Sequence, residues 1–513
     1  MTLDVAVIGG GVSGLAVAYE LASRGHRVVV LERQARAGGN AASERIGGFL
    51  MEHGPSSVNA ASPATALSGT LGIDGLRCDL GPQVCYRYLT GGGRLHQVAT
   101  HPFGFLSSSY LSPRARLRLL TEPLVPPGGA KTEEAETDEN VADFWSRRFG
   151  AEFTERVIDP LVGGLFAGRA AALSMPAVFP EWLEMERRHG SITRAVLRRR
   201  LAGAKMPGRR LHSWVDGMGT LPTALAPALG PALRTGVAVR RIRVHPGGFR
   251  IEAGAAGVAA GVAAGVIEAR SVVIATQPHV AATLLDGLDD VAADAAATND
   301  APPLAVVFLG FRRAQVDHPF DGLGYLTPQR EERALTGALF CSSMFPGRAP
   351  EGHVALAGHV GGARAPEAAL AAPEDLIAET RAEFQDLLGA RREPVLARVR
   401  QWPRGLPQYR PGHGRVVAAL HDSHARRPAR RPGLFVTGNY LTGCAVGACV
   451  AKGLETAAWV HRFWAGDGAM RMPGNGVLAD STRGAAEARR TVEIRPPIWV
   501  YDPGSSHPSA ICK

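Results

Sequence analysis

The segment LDVAVIGGGVSGLAVAYELASRGHRVVVLERQARAGGN, residues 3–40, decides the architecture. It opens with a β-branched apolar run, Leu3 to Ile8, of the kind that fills a strand buried on both faces. The glycines of Gly9-x-Gly11-x-x-Gly14 follow at once, and an alanine-rich run to Arg24 reads as a helix. A second apolar run, His26 to Leu31, completes a strand–helix–strand unit. Glycines at such a turn let backbone N–H groups approach a pyrophosphate, whose charge the helix N-terminus stabilises. Glu32 follows Gly14 by eighteen residues and ends the second strand, where a carboxylate can accept hydrogen bonds from a ribose. A purely structural strand–helix–strand unit is the alternative, and the placement of Glu32 weighs against it.

Bulk composition sets the outer limits. A chain of 513 residues with 45% hydrophobic content is globular and too long for one core, so two or three interleaved domains are expected. No apolar run reaches the roughly 20 residues that cross a bilayer. The best candidate, Leu221 to Val239, is broken by Pro222, Pro227, Pro231 and Arg234. A strand begins at Leu3 with no basic segment or cleavage site before it, so the expected location is cytoplasmic. Six scattered cysteines without zinc-knuckle spacing read as reduced thiols, with no metal. Lysine occurs only at Lys131, Lys205, Lys452 and Lys513, so the net charge of +10 is arginine in an alanine- and glycine-rich chain. That pattern reads as compositional bias rather than a polyanion surface, and no nucleic acid is expected as a partner.

Further along, Pro126 to Asn140 reads as an exposed acidic linker and Val141 to Leu201 as a helical lobe. Val237 to Ile242 and Val272 to Ile274 return to strand character, separated by an Ala-Gly-Val repeat over 253–266 that lengthens a surface hairpin. A last strand, Leu434 to Val436, runs into a glycine-rich turn and a helix from about Ala448. Residues 466–513 read as an appendage.

A second glycine turn, Arg36-Ala-Gly38-Gly39-Asn40, stands directly after Glu32. It resembles FAD proteins of the glutathione-reductase and amine-oxidase type. Glu52-His-Gly54-Pro55-Ser56 would form a loop near the isoalloxazine, and Val272 to Thr276 matches the strand that returns to the cofactor. More closely, Arg87-Tyr-Leu89, Asp159-Pro-Leu-Val-Gly-Gly164-Leu-Phe-Ala-Gly168, Phe179-Pro180, Gly217 to Pro222, His318 to Gly324, Met344 to Arg348, Val360 to Arg364, Trp402-Pro403 and Pro407 to Tyr409 together resemble the protoporphyrinogen oxidase family. The match runs from residue 1 to about 465.

The resemblance implies an α/β fold: a Rossmann-like FAD-binding domain of glutathione-reductase type, interleaved with an α+β substrate domain and a helical lobe. On this reading residues 1–84, 214–300 and 401–465 build the FAD domain. Residues 85–213 form the helical lobe facing substrate and membrane, 301–400 the substrate sheet, and 466–513 a tail. FAD contacts are implied at Gly9, Gly10, Gly11, Val12, Ser13, Gly14, Glu32, Arg33, Arg36, Gly38, Gly39 and Asn40. They continue at Gly54, Pro55, Ser56, Ser57, Val239, Trp402, Gly438, Ala445, Val446 and Gly447.

The implied reaction is six-electron oxidation of a porphyrinogen to a porphyrin, FAD accepting each pair and O2 re-oxidising it to peroxide. Positioning carries most of such catalysis, and no side-chain general base stands out. Arg87 falls where a propionate would be held, a task that suits a guanidinium. Without the flanking match it would read as one more surface arginine. Gly164, Leu326 and Leu339 fall at macrocycle-contacting positions, although leucines there serve plain core packing equally well. His359 replaces a stacking aromatic, and Arg169-Ala170 replaces Asp-Pro. Gly438 to Gly447 resembles the plant-type flavin segment, which favours protoporphyrinogen over coproporphyrinogen. Further expectations are a homodimer and a peripheral position on the inner face of a membrane. Amine oxidases, carotenoid desaturases, prenyl-protein escort factors and a paralogue acting on another substrate remain as alternatives.

Overall fold

The computed structural model describes residues 3–98, 102–106, 108–128, 138–201, 211–257, 265–425 and 433–465. The tail 466–513, most of the acidic linker and the centre of the Ala-Gly-Val repeat lie outside these residues.

Two seven-stranded sheets organise the molecule. In the first, parallel strands run in the order Leu233–Arg234, Val28–Leu31, Leu3–Ile8, Gly265–Ile274 and Leu434–Val436. An antiparallel pair, Val237–His245 and Gly248–Ala255, extends it from the near end of Gly265–Ile274. The unbroken β-branched runs follow from burial on both faces, because side chains alternate across a strand. Val5, Val7, Val28, Val30 and Val273 pack beneath the helices Val12–Ser23 and Val446–Trp464. Ala6, Ile8, Val29, Leu31, Val272 and Ile274 face the opposite layer, made by Pro278–Leu285, Asp290–Ala297 and His413–Ala425.

The second sheet is mostly antiparallel, in the order Leu396–Trp402, Leu304–Arg312, His353–Gly361, Gly337–Leu339, Gly322–Leu326, Tyr86–Gly91 and Arg94–Val98. Helix Pro373–Leu388 covers one face through Leu376, Phe384 and Leu388. The other face meets the first domain, where Val306, Phe308, Ala355 and Ala357 pack on Phe49 and Met51. The segment 85–213, expected as a helical lobe, opens with two of this sheet's strands. Gly92 and Gly93, at φ 57° and 78°, turn the chain into a hairpin, and Tyr86–Gly91 then pairs in parallel with Gly322–Leu326.

The helical lobe is built on aromatic packing, with Trp145 against Phe149, Phe153 and Trp182. Its buried charge is compensated. The Arg148 side chain, with no exposure, donates to Glu186 and to Glu122. Glu122 accepts in turn from Ser191 Oγ and from the N–H groups of Ile192 and Thr193, at 2.6, 3.1 and 3.0 Å, which caps helix Ile192–Leu201 with a negative charge.

Among the described residues Cys78, Cys341, Cys444 and Cys449 carry free thiols.

Two histidines are held neutral by burial. His212 has no exposure, packs edge-on against Trp214, and has no partner on either ring nitrogen among the described residues. Burial pushes its pKa down to about 4, and that of His318 likewise. An unfolded histidine titrates near 6.5, so as pH falls the unfolded chain binds the proton first. The stability these groups contribute is complete above about pH 6.5 and is lost between there and pH 4, at about 2 kcal/mol per histidine by pH 5. Urea unfolding at pH 7.5 and 5.0 tests this. The wild-type chain should lose about 2 kcal/mol more over that interval than His212→Met. Equal losses would overturn the assignment.

Candidate FAD and substrate site

The three glycines of the first turn do different work. A Cβ at Gly14 would lie 2.0 Å from the Gly9 carbonyl oxygen, so the hydrogen there lets the helix sit directly on the strand end. Gly9, at φ 106°, packs against the Ala275 carbonyl. At Gly11 a Cβ would meet nothing within 4 Å, which marks the side of the turn open to a ligand. The helix beginning at Val12 has Gly11 as N-cap and no side-chain cap, so its first N–H groups face that opening.

Glu32 is fixed by its neighbours. Gly10 N–H donates to its Oε2 at 2.6 Å and Gln34 N–H to its Oε1 at 2.7 Å, leaving the remaining lone pairs for ribose hydroxyls. The second turn closes on the first: Gly38 N–H donates to Gly10 O at 2.8 Å, and a Cβ at Gly39 would lie 3.2 Å from Gly11 Cα. Arg36 braces this turn by donating to Gly39 O, while Arg33 is exposed. Val239 lies beside a bulge in its strand, two residues beyond the Val237 N–H that donates to Glu32 O.

The last part of the chain brings a second helix, without a side-chain cap at its N-terminus, against the first. Helix Val446–Trp464 starts after Ala445 with no side-chain cap. A Cβ at Gly453 would lie 2.6 Å from Ser13 O and one at Gly447 2.6 Å from the Ser62 Cβ, so this helix lies close against the first. Gly438, at φ 151°, begins the turn that leads to it. The loop 53–57 is half-buried beside them, with Gly54 pressed on Asn40 O. Two free helix N-termini, a ribose-facing carboxylate and a turn open at Gly11 fit FAD, which would supply a two-electron acceptor when bound.

The second sheet supplies the opposite wall. Its pairing puts Leu326 opposite Gly337, Leu339 opposite Ala357 and His359 opposite Gly337, so Leu326, Leu339 and His359 share the face that carries Ala357 and Val306. Arg87 alternates with Leu89, which pairs with Leu326. From the helical lobe, Gly164 approaches so closely that a Cβ there would lie 2.4 Å from Leu326 Cδ2. All five expected substrate residues therefore converge on one face. His359 is half-buried, and desolvation lowers its pKa. Trp402 ties the walls together, its Nε1 donating to His53 O at 2.8 Å.

Two features escape sequence reading. Glu52 and Arg348 form a buried pair at 3.5 Å. Glu52 also accepts from Ser43 Oγ and Met218 N–H, while Arg348 donates to Ser213 Oγ and to the Trp214 and Val215 carbonyls. Burial pushes the Glu52 pKa up to about 7, against its hydrogen bonds and Arg348. Arg400 sits over Trp402, and its one sequence signal is a spacing of two from that tryptophan.

Comparison with known proteins agrees with this geometry. The family profile for flavin-containing amine oxidoreductases matches residues 12–461. The chain belongs to that family. It is therefore an FAD-dependent oxidoreductase. It is 30% identical over 496 residues to the chloroplastic protoporphyrinogen oxidase of Oryza sativa, covering 90% of this chain and 89% of that one. It is 25% identical over 467 residues to the coproporphyrinogen III oxidase of Bacillus subtilis, covering 88% and 96%. A crystal structure from Exiguobacterium, described provisionally as a protoporphyrinogen oxidase, superposes with a TM-score of 0.76 at 20% identity, covering 90% of this chain and 99% of that one.

The glycines give a paired test. Gly11→Ala should leave the melting temperature of the apoprotein unchanged while weakening FAD binding by at least about tenfold, because the added methyl meets only the ligand. Gly14→Ala should destabilise the apoprotein itself by about 1–3 kcal/mol or more, through overlap with Gly9 O. Thermal melts and flavin-fluorescence titration of both variants check this.

Proposed function

We propose that this chain oxidises protoporphyrinogen IX to protoporphyrin IX in tetrapyrrole synthesis, with FAD taking each electron pair and O2 re-oxidising it to peroxide. The carrying observation is the convergence of Arg87, Gly164, Leu326, Leu339 and His359 on one face, opposite the glycine turns and the two bare helix N-termini. On that face Arg87 pairs with a propionate, and Leu326 and Leu339 sandwich a pyrrole ring, with Gly164 packed behind Leu326. His359 borders the ring from the next strand. The apolar wall excludes water and sets the macrocycle edge towards the cofactor, which is the catalytic contribution this chemistry asks of a protein. The names of the plant relatives support this substrate, and those of the bacterial relatives support coproporphyrinogen III as the second reading.

Porphyrin fluorescence in air, with each porphyrinogen and a no-enzyme control, tests the assignment. Fast turnover of protoporphyrinogen IX is expected, and preference for coproporphyrinogen III would shift it to the second reading. No turnover of either by the FAD-loaded protein would overturn both. Arg87→Ala should raise KM for the dicarboxylate substrate by about 10- to 100-fold with a smaller change in kcat, as loss of a charge-assisted pair predicts.

We further propose that the enzyme rests on an anionic membrane surface through the helical lobe. Leu117, Leu120 and Leu124 are 63%, 59% and 79% exposed, and Leu197 and Leu201 are 52% and 79% exposed. Helices Pro113–Leu120 and Ile192–Leu201 together line an apolar pocket through Leu119, Leu120, Ile192 and Val196. Arg114, Arg194, Arg198 and Arg199 are exposed on the same helices, as suits acidic headgroups. Among the described residues no helix is long and apolar enough to cross a membrane. Sedimentation with vesicles containing phosphatidylglycerol should carry the protein down, and Leu117→Ser with Leu120→Ser and Leu197→Ser should release it. Failure of the wild-type chain to bind would overturn the surface reading.

A further inference from the structure

Helix Asp159–Phe166 of the helical lobe lies against the second sheet and is fastened to it at both ends. At the C-terminal end, Ala363 N–H donates to Ala167 O at 2.7 Å, and a Cβ at Gly362 would lie 2.5 Å from that oxygen. At the N-terminal end, the Arg364 guanidinium donates through Nη2 to Asp159 O at 2.7 Å and to Asp159 Oδ2 at 2.9 Å. Through Nη1 it donates to Thr327 O at 2.6 Å. Gln329 N–H adds a bond to Asp159 Oδ2 at 3.2 Å. The Arg364 and Asp159 side chains are only 8% and 15% exposed, so solvent screens the pair little and its geometry is held. A Cβ at Gly163 would lie 2.6 Å from Arg364 Nη2, so the helix lies flush on the guanidinium.

The segments joined in this way are those that carry the substrate wall. Thr327 directly follows Leu326, and Asp159 begins the helix that carries Gly164. Leu326 packs on the core of the helical lobe, and a Cβ at Gly164 would lie 2.4 Å from its Cδ2. Gly164 is exposed and Leu326 half-buried, so their contact stands at an accessible surface and not inside a closed core. Strand His353–Gly361, which carries His359, runs straight into the turn Gly362–Arg364. One guanidinium therefore sits where the three segments bearing Leu326, Gly164 and His359 meet. Its two Nη groups are committed to protein acceptors, so its effect on a ligand is indirect.

We propose that Arg364, paired with Asp159, is a positioning residue that sets the gap between the helical lobe and the substrate face of the second sheet. The inference rests on the reading that this face takes the macrocycle. An apolar wall selects by shape, and a misplacement of about 1 Å can cost about 100-fold in rate. Space for only a hydrogen at Gly164 makes Leu326 follow any tilt of the helix. FAD binding is spared, because the glycine turns belong to the first sheet.

Steady-state kinetics of the FAD-loaded protein test this, with whichever of protoporphyrinogen IX and coproporphyrinogen III the wild-type chain oxidises faster. Arg364→Met should raise KM by about tenfold or more, with a smaller change in kcat and an FAD affinity within about twofold of wild type. Asp159→Asn should do the same, and the double variant should be no worse than the poorer single one, because both changes break one unit. Arg364→Lys should recover part of the loss, since a single ammonium cannot span Thr327 O and Asp159 as the fork does. Gly163→Ala should raise KM with both charges intact, by displacing the guanidinium. A wild-type KM in folded Arg364→Met would overturn the proposal, as would additive effects of the two single changes. A loss of FAD affinity by the same factor as the rise in KM would also overturn it, leaving the pair as a general brace. If Arg364→Met fails to fold, Arg364→Lys and Gly163→Ala decide by the same comparison of KM with FAD affinity. No turnover of either porphyrinogen by the wild-type chain would overturn the substrate reading and this inference with it, an outcome distinct from normal wild-type turnover with unaltered KM in the variants.

Discussion

The close approach of one helix to a strand end, and of a second helix to the first, is the constraint on which the rest depends. Helix Val12–Ser23 reaches the end of Leu3–Ile8 because Gly14 has no Cβ to strike the Gly9 carbonyl 2.0 Å away. Helix Val446–Trp464, more than 400 residues later, reaches the first helix because Gly453 has none to strike Ser13 O. Each helix leaves its first N–H groups without a side-chain cap. Unsatisfied donors at two helix ends amount to concentrated positive potential. The first of these ends opens on the glycine turn at Gly11, and the cofactor is the group that completes it.

Around that turn the two sheets must keep a set separation. The apolar contact of Phe49 and Met51 with Val306, Phe308, Ala355 and Ala357 provides the packing. The polar fastening comes from Glu52 and Arg348, which tie the hairpin Ser43–Glu52, the turn near Met218 and the end of the strand Leu211–Trp214 to the second domain. A lone buried carboxylate would be unfavourable here, as its raised pKa of about 7 indicates. Its hydrogen bonds and the arginine make it tolerable, and the geometry of that network is specific in a way apolar packing alone is not. Trp402 adds a third tie, through its Nε1 to the His53 carbonyl.

Legibility in the sequence follows the range of the interaction. Glycine spacing, the strand runs and Glu32 report a local unit whose physics is complete within about 40 residues, so the FAD turn is readable at once. The hairpin at Gly92-Gly93 carries a local turn signal, yet its membership of the second sheet depends on a parallel partner more than 230 residues away. Sequence reading accordingly placed it with the helices. Arg87, Leu326, Leu339 and His359 are ordinary residue types that meet only through strand register. Arg348 is one arginine in an arginine-rich chain, distinguished by its burial and by the Glu52 that stands opposite it.

The sequence by itself determined the dinucleotide turn, the alternation that buries Leu3–Ile8 on both faces, the return of the chain to the first sheet near Val272, and the resemblance that named FAD. Those features follow from steric demands of glycine and from the two-residue period of a strand, both of which operate between neighbours. Only the tertiary structure decided which face of the second sheet meets the first domain and that the last helix lies against the first. Register and cross-domain packing set those outcomes. A one-residue slip in register would turn Leu326, Leu339 and His359 away from the site without changing a single local preference.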